Sequence, residues 1–383
     1  MGGSFSSSGS LVDSTGITPV ALLDGPGTIF GTSTPLPYTS ASQDPTRFNG
    51  GGVGYTQYHT PVPKIYQWNL SVQREVMTNT MAELAYVGSH GFNLAFPTDL
   101  NQVPLSKAHP GDDQADRPYP NYQGIGGSTN NAVSNYNSLQ ASITKRMNNG
   151  LSLAFNYVWS HFLDDMDSSG WGSRAGNQPY QVASDPAANY SNSNFDVRHA
   201  FKGYAVYQLP FGRGKRFLNS NSLLDEVVGG WRISGTMVLQ TGNPFTVTSD
   251  QANYTQAGST FPDWNPGVSW KPANQSINNW YNPGAFLRPA DGTFGNVRRN
   301  SLYGPGLKLF NMSAAKSFSL PWEDVRIEFR ADAQNVFNHP SFGFPNTGLG
   351  GSAGAGTPYT NSTSISGTTV GGRNLQLALR VSF

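Results

Sequence analysis

The sequence predicts an all-β fold: an antiparallel, up-and-down transmembrane β-barrel segment of about nine strands, a partial barrel. Three observations carry this. Stretches of about ten residues alternate apolar and polar side chains, and the pattern returns along the chain from Ile65 to Phe383. The connections between those stretches alternate long and short, so a meander places long loops on one side and short turns on the other. Aromatic residues reach 12% although mean hydropathy is −0.41, which suits a wall whose alternate residues alone meet lipid.

Residues 1–64 are rich in Gly, Ser, Thr and Pro and show little periodicity, so they are expected to be irregular, an extracellular loop. Residues 65–383 are expected to form the carboxy-terminal part of an outer-membrane barrel. The first strand sets Tyr66, Trp68, Leu70 and Val72 against Gln67, Asn69, Ser71 and Gln73. Thr78-Asn79 turns the chain, and Ala82, Leu84, Tyr86 and Gly88 return against Glu83, Ala85, Val87 and Ser89. An irregular stretch is expected from about Phe92 to Asn135. Leu139, Ala141 and Ile143 then lead to Asn148-Asn149-Gly150, a strong hairpin signal because Asn and Gly tolerate positive φ. Leu151, Leu153, Phe155, Tyr157 and Trp159 share one face of the next strand. After a loop over about Leu163–Asn194, Phe201, Ala205, Tyr207 and Leu209 mark another.

The connection Pro210–Gly229 is of middle length, with a short helical turn expected at Leu223-Leu224. Trp231, Ile233, Met237 and Leu239 follow. The longest loop, about Asn243–Pro305, holds Trp264, Trp270, Trp280 and Tyr281, candidate ligand contacts. Phe310, Met312, Ala314 and Phe318 connect through Leu320-Pro321-Trp322-Glu323 to Val325, Ile327, Phe329, Ala331 and Ala333. A last loop, about Asn338–Gly371, reaches the closing strand. There Leu375, Leu377, Leu379, Val381 and Phe383 oppose Asn374, Gln376, Ala378, Arg380 and Ser382.

Arg326, Glu328, Arg330, Asp332 and Arg380 are therefore expected to face water in a barrel lumen, as a substrate path or as a hydrated wall of paired charges. Trp68, Tyr86, Tyr157, Trp159, Tyr207 and Trp231 fit interfacial girdles, or equally a buried core. Lys145 and Lys316 interrupt the apolar face near the short turns, where a lysine reaches the headgroups. Loops near Asp167, Tyr281 and Gly350 should lie outside the cell, with Asn149 and Trp322 in the periplasm.

Bulk properties narrow the function. A formal net charge of +1 with only 12% charged residues points to no nucleic-acid partner. The chain has no cysteine, hence no disulfide and no thiolate chemistry. No run of about 18 apolar residues exists, which excludes a transmembrane helix. The opening residues lack a basic start and an apolar core, so an export signal is expected upstream of this sequence. His59, His90, His109, His161, His199 and His339 have no metal-ligand spacing. Asp165-x-Asp167-x-Ser169-Gly170 begins like a calcium loop, but Gly176 stands where the twelfth-position carboxylate belongs. Asp112, Asp113 and Asp116 form a loose acidic group. No Ser/His/Asp order stands out, and the sequence predicts neither an enzyme nor a cofactor.

Several phrases carry a family resemblance: Gln67–Glu75 (QWNLSVQRE), Ala85–Gly91 (AYVGSHG), Tyr136–Gln140 (YNSLQ) with Lys145–Leu151 (KRMNNGL), Tyr157–Ser160 (YVWS), Asp196–Phe201 (DVRHAF) with Leu209–Gly212 (LPFG), and Arg330–Asn338 (RADAQNVFN). In combination they resemble the carboxy-terminal barrel of TonB-dependent receptors, closest to the Oar-like group with a carboxypeptidase-regulatory-like amino-terminal domain. The resemblance covers about Ile65–Phe383. It implies a 22-strand outer-membrane barrel around an amino-terminal plug, energised through TonB, taking up an iron chelate, vitamin or glycan. It also implies a last strand, ending in Phe383, that engages the barrel-assembly machinery. Plug, TonB box and more than half of the strands are missing here, so the chain is expected to be the distal part of a longer receptor, inactive alone. A second reading is a secreted or surface β-sheet protein that binds glycans through its Trp-rich loops, its apolar faces forming a conventional core.

Overall fold

The computed structural model describes residues 3–6, 50–110, 114–167, 180–212, 214–217, 227–251, 255, 258–319 and 326–382. Among these, nine long strands form a meander: β1 (Lys64–Met77), β2 (Thr80–Asp99), β3 (Ile125–Asn148), β4 (Leu151–Asp164), β5 (His199–Gln208), β6 (Trp231–Gln240), β7 (Leu307–Ser319), β8 (Arg326–Gln334) and β9 (Asn374–Ser382). Each pairs antiparallel with the next. Two turns follow from residue chemistry. Asn79 (φ 60°) closes β1–β2, where its amide donates to Glu75 Oε1 at 2.9 Å. Asn149 and Gly150 (φ 49° and 81°) close β3–β4, and two successive positive φ values give the backbone twist that a two-residue hairpin needs.

The register decides the faces, because paired residues of adjacent strands lie on the same side. One row runs Val72, Leu84, Ala141, Tyr157, Phe201, Leu239. Another runs Ile233, Ala314, Ala331, Leu377, and the next Trp231, Lys316, Phe329, Leu379. The opposite face carries Gln73, Glu83, Ser142, Asn156 and Lys202 in one row, and Ser234, Ser313, Asp332 and Gln376 in another. The apolar set thus stays in phase through all nine strands. Among the described residues nothing packs over it: Leu70 and Leu377 are 71% and 72% exposed. The second reading, in which this face forms a conventional core, is therefore not what the described residues show. Its side chains pack only laterally, as where the Phe155 and Phe201 rings stack at 5.6 Å. From Leu151 to His161, β4 advances about 33 Å at ~3.3 Å per residue. At a tilt of about 45° that spans about 23 Å, close to the height of a barrel's apolar band.

The sheet is open. Among the described residues β1 pairs only with β2, and β9 only with β8, and these two edge strands run in the same direction. Residues 1–64, expected to be irregular, contain two short strands, Gly3–Ser6 and Val53–Gln57. Val53–Thr56 lies parallel to Ile125–Ser128, beyond the point where β4 ends, and gives that stretch of β3 a hydrogen-bonding neighbour. It does not close the sheet.

β2 and β3 also run past their expected ends. The stretch from Phe92 to Asn135, expected to be irregular, is strand as far as Asp99 and again from Ile125. Gly126, Gly127, Ser128, Asn130 and Asn131 show no apolar period, because this projecting part of the sheet has no greasy face to mark it. The helical turn at Leu223-Leu224, the Leu320–Glu323 turn and Phe383 lie outside the described residues.

Candidate functional site

Two surfaces are candidates: the polar face of the sheet, whose Arg232, Arg326, Glu328 and Arg380 lie toward the short-turn end, and the structure formed by the long connections. On the polar face, Arg232 of β6 approaches Glu328 of β8 at 3.8 Å, and Arg330 Nε donates to Asp332 Oδ1 at 2.8 Å. Arg380 of β9 stands opposite Glu328, and Arg326 opposite Ser382. Arg326, Glu328, Arg330, Asp332 and Arg380 thus share one face, with Arg232 as an additional member that sequence reading did not single out. Four arginines against two carboxylates leave this patch cationic. A groove of about 460 Å³ opens on it, lined in part by Tyr204, Thr236, Asn311, Arg330, Asp332 and Gln376.

The described parts of the long connections 100–124, 165–198, 241–306 and 335–373 do not splay. Those of 241–306 and 335–373 share a buried apolar core: Phe245, Val247, Tyr281, Ala285, Phe286, Val297, Leu302, Leu349 and Tyr359. Tyr281 is wholly buried, donates its hydroxyl to the Asn346 carbonyl at 2.8 Å, and has its ionisation pushed up by burial. It is not available to a ligand. Trp264, Trp270 and Trp280 pack against the same cluster, Trp264 over the Phe286 ring at 5.0 Å and Trp280 donating Nε1 to the Tyr303 carbonyl at 3.0 Å. These four aromatics, expected as ligand contacts, hold the loops together. Fixing a loop of more than sixty residues costs backbone entropy that only such burial offsets.

A buried charge cluster joins this body to the sheet. Arg299, with no exposed surface, bridges Asp164 at the end of β4 and Asp167 just beyond it. Asp167 also accepts from Ser193 Oγ (2.7 Å) and the Asn194 amide (2.8 Å). Asp165 turns away and accepts from the Val133 amide at 2.7 Å, while burial raises its carboxyl above the usual range. Of the two carboxylates that open the calcium-like string, Asp167 is held by protein donors, while Asp165 uses Oδ2 on the Val133 amide and has no partner for its buried Oδ1 among the described residues. Ser169 and Gly170 lie outside the described residues, as do Asp112 and Asp113; Asp116 meets His109 at 3.0 Å.

The remaining histidines are scattered, His90 against Asn135 (2.7 Å), His161 against Asn192 (3.1 Å) and His199 against the Tyr157 hydroxyl (2.8 Å). Among the described residues no three His, Asp or Glu side chains converge as a metal site would require. Gly350-Gly351-Ser352-Ala353-Gly354 has the spacing of a nucleophile elbow, but it lies in a loop rather than between a strand and a helix. Ser352 Oγ is engaged with Thr357 Oγ1 at 2.7 Å and the Gly354 carbonyl at 3.0 Å. The arrangement can form a charged, water-lined wall beneath a folded loop body.

A family model described as an outer membrane beta barrel domain matches residues 3–376. No curated protein matches. Among solved structures, the chain is similar to the outer membrane transporter YddB from Escherichia coli, with a TM-score of 0.42 and 10% identity. That similarity covers 86% of this chain and 34% of the other, so this chain spans about a third of that transporter's length.

Proposed function

Because the chain belongs to the outer membrane beta barrel domain family and so resides in the bacterial outer membrane, we propose that it supplies part of the wall and the outer vestibule of a TonB-dependent importer of the Oar-like group. The observation that supports this best is the nine-strand register, which keeps one exposed apolar face and one charged polar face in phase while gathering every long connection on one side. β1 and β9 run the same way, so antiparallel closure takes an odd number of further strands between their free edges. A longer receptor provides those strands, together with a plug whose surface meets Arg326, Glu328, Arg330, Asp332 and Arg380. The assembly machinery engages β9 and Phe383.

The ligand class is a scarce nutrient: an iron chelate, vitamin or glycan. An excess of arginine on the wall favours an anionic one, since cationic rings select anions in pores. The half-exposed Trp264, Trp270 and Trp280 act mainly by shaping the loop body over the vestibule. The test is ligand uptake by cells carrying the full-length receptor, with and without TonB, beside Arg330→Glu and Arg380→Glu. The proposal expects uptake to vanish without TonB and to fall in both variants at unchanged barrel abundance. Uptake that persists without TonB overturns it. So does stable single-channel conductance from the 383-residue chain alone.

A further inference from the structure

The apolar face is not uniform. At its centre lies a groove of about 340 Å³. Its floor is made of small residues on adjacent strands, Gly203 and Ala205 of β5 and Gly235 of β6, while Phe155, Tyr207 and Phe310 form its walls. At Gly203 the floor is obligatory, since a Cβ there runs into the Phe155 ring and the Ala154 carbonyl. At Gly235 it is not: a Cβ meets only the Asn311 carbonyl at 3.3 Å and Met312 Cγ at 3.8 Å, so the depression is open space. Toward the long-connection end the groove reaches Phe337, 67% exposed, whose ring stands edge-on to Phe310 at 5.2 Å.

Two cations mark that end. Lys308 is exposed and lies on the same face as Phe310, two residues, or about 6–7 Å, further along β7. The Arg373 guanidinium reaches the Val336 carbonyl (3.5 Å), immediately before Phe337. No carboxylate shares this face from β5 to β9. The lysine at the opposite end behaves differently: Lys316 is buried, with its ammonium 5.9 Å from the Trp231 ring and 5.0 Å from Phe318.

We propose that this groove binds one acyl chain of a phosphorylated, multiply acylated lipid of the outer leaflet, the lipid A part of lipopolysaccharide, with its phosphate at Lys308 and Arg373. An anionic headgroup is favoured over a zwitterionic one because two cations meet it and nothing opposes it. The leaflet follows from the long connections lying outside, as proposed above. A chain laid over Gly203, Ala205 and Gly235 contacts aromatic walls on both sides, which flat barrel surface does not offer.

The test is native mass spectrometry of the protein extracted from outer membranes in mild detergent. It is titrated with bisphosphorylated lipid A, with the same lipid stripped of phosphate, and with phosphatidylethanolamine. The expected result is one tightly retained bisphosphorylated lipid per barrel. Lys308→Gln lowers that retention about fivefold, the ~1 kcal/mol that one cation contributes beside an anionic headgroup, and leaves the dephosphorylated lipid unaffected. Gly235→Leu fills the groove and abolishes retention of both, whereas Ala331→Leu, on the same face outside it, does not. Heat-modifiable gel mobility verifies that each variant is folded. Equal retention of all three lipids, insensitive to both Lys308→Gln and Gly235→Leu, overturns the proposal and identifies ordinary annular lipid. Whole-cell labelling of Asn149→Cys by an impermeant reagent overturns the leaflet assignment, and with it the topology proposed above, independently of the lipid titration.

Discussion

Replacing Arg299 by Met removes a charge at the point where the loop body is fastened to the sheet. Arg299 is fully buried, pairs with both Asp164 and Asp167, and donates a further bond to the Asp164 carbonyl at 2.6 Å. Met fills much of the same volume, so the loss is electrostatic: two buried carboxylates are left without their cation. Breaking a buried pair by removing one partner costs ~3–5 kcal/mol. Even ~3 kcal/mol raises the population of an opened loop body more than about a hundredfold. The barrel strands have their own ladder and should stay closed, so the opening is local. Hydrogen exchange of amides in 241–306, measured on the folded protein in detergent, should accelerate by at least that factor while amides of β4 and β5 stay protected. The triple variant Arg299→Met, Asp164→Asn, Asp167→Asn removes all three charges and should recover most of the protection, since a neutral buried site carries no uncompensated ion. Unchanged exchange in Arg299→Met, or a triple variant no better than the single one, would refute this reasoning.

Four further substitutions have defined outcomes. Gly242→Ala puts a Cβ into the Gly304 carbonyl at the neck of the longest loop, a backbone contact that cannot swing aside; it should cost at least ~1–3 kcal/mol, read as faster proteolysis of that loop. Gly150→Ala meets both a φ of +81° and the Gln208 carbonyl at 2.9 Å, and should lower the urea stability of the inserted barrel by ~1–2 kcal/mol. Leu377→Arg should destabilise the inserted barrel by ~2–4 kcal/mol if it sits near mid-bilayer, while Gln376→Arg, facing water, should cost little. Equal penalties at 376 and 377 would contradict the assigned faces.

The nine strands were legible because period-two alternation is a local property. Leu151, Leu153, Phe155, Tyr157 and Trp159 announce their face without knowledge of any partner, and Asn149-Gly150 announces its turn. The open edges were also legible, from an odd strand count. What sequence could not reveal depended on distant partners. Trp264, Trp270, Trp280 and Tyr281 look alike whether they meet a ligand or each other, and only folding of 241–306 onto 335–373 buries Tyr281. Arg299 pairs with residues more than 130 positions away, and its only local signal is the Arg298-Arg299-Asn300 string in a loop otherwise poor in charge. The projecting ends of β2 and β3 are hidden for the opposite reason: Gly126–Asn131 has no apolar face, so nothing marks it as strand.

The central claim is that one register divides this chain into a lipid face and a water face. A spin label placed singly at every position from Leu151 to His161 of the membrane-embedded protein tests it directly. Collision with oxygen, which concentrates in lipid, should peak at 151, 153, 155, 157 and 159. Collision with a water-soluble nickel complex should peak at 152, 154, 156, 158 and 160. The opposite phase, or equal access of both probes along the strand, would contradict the account.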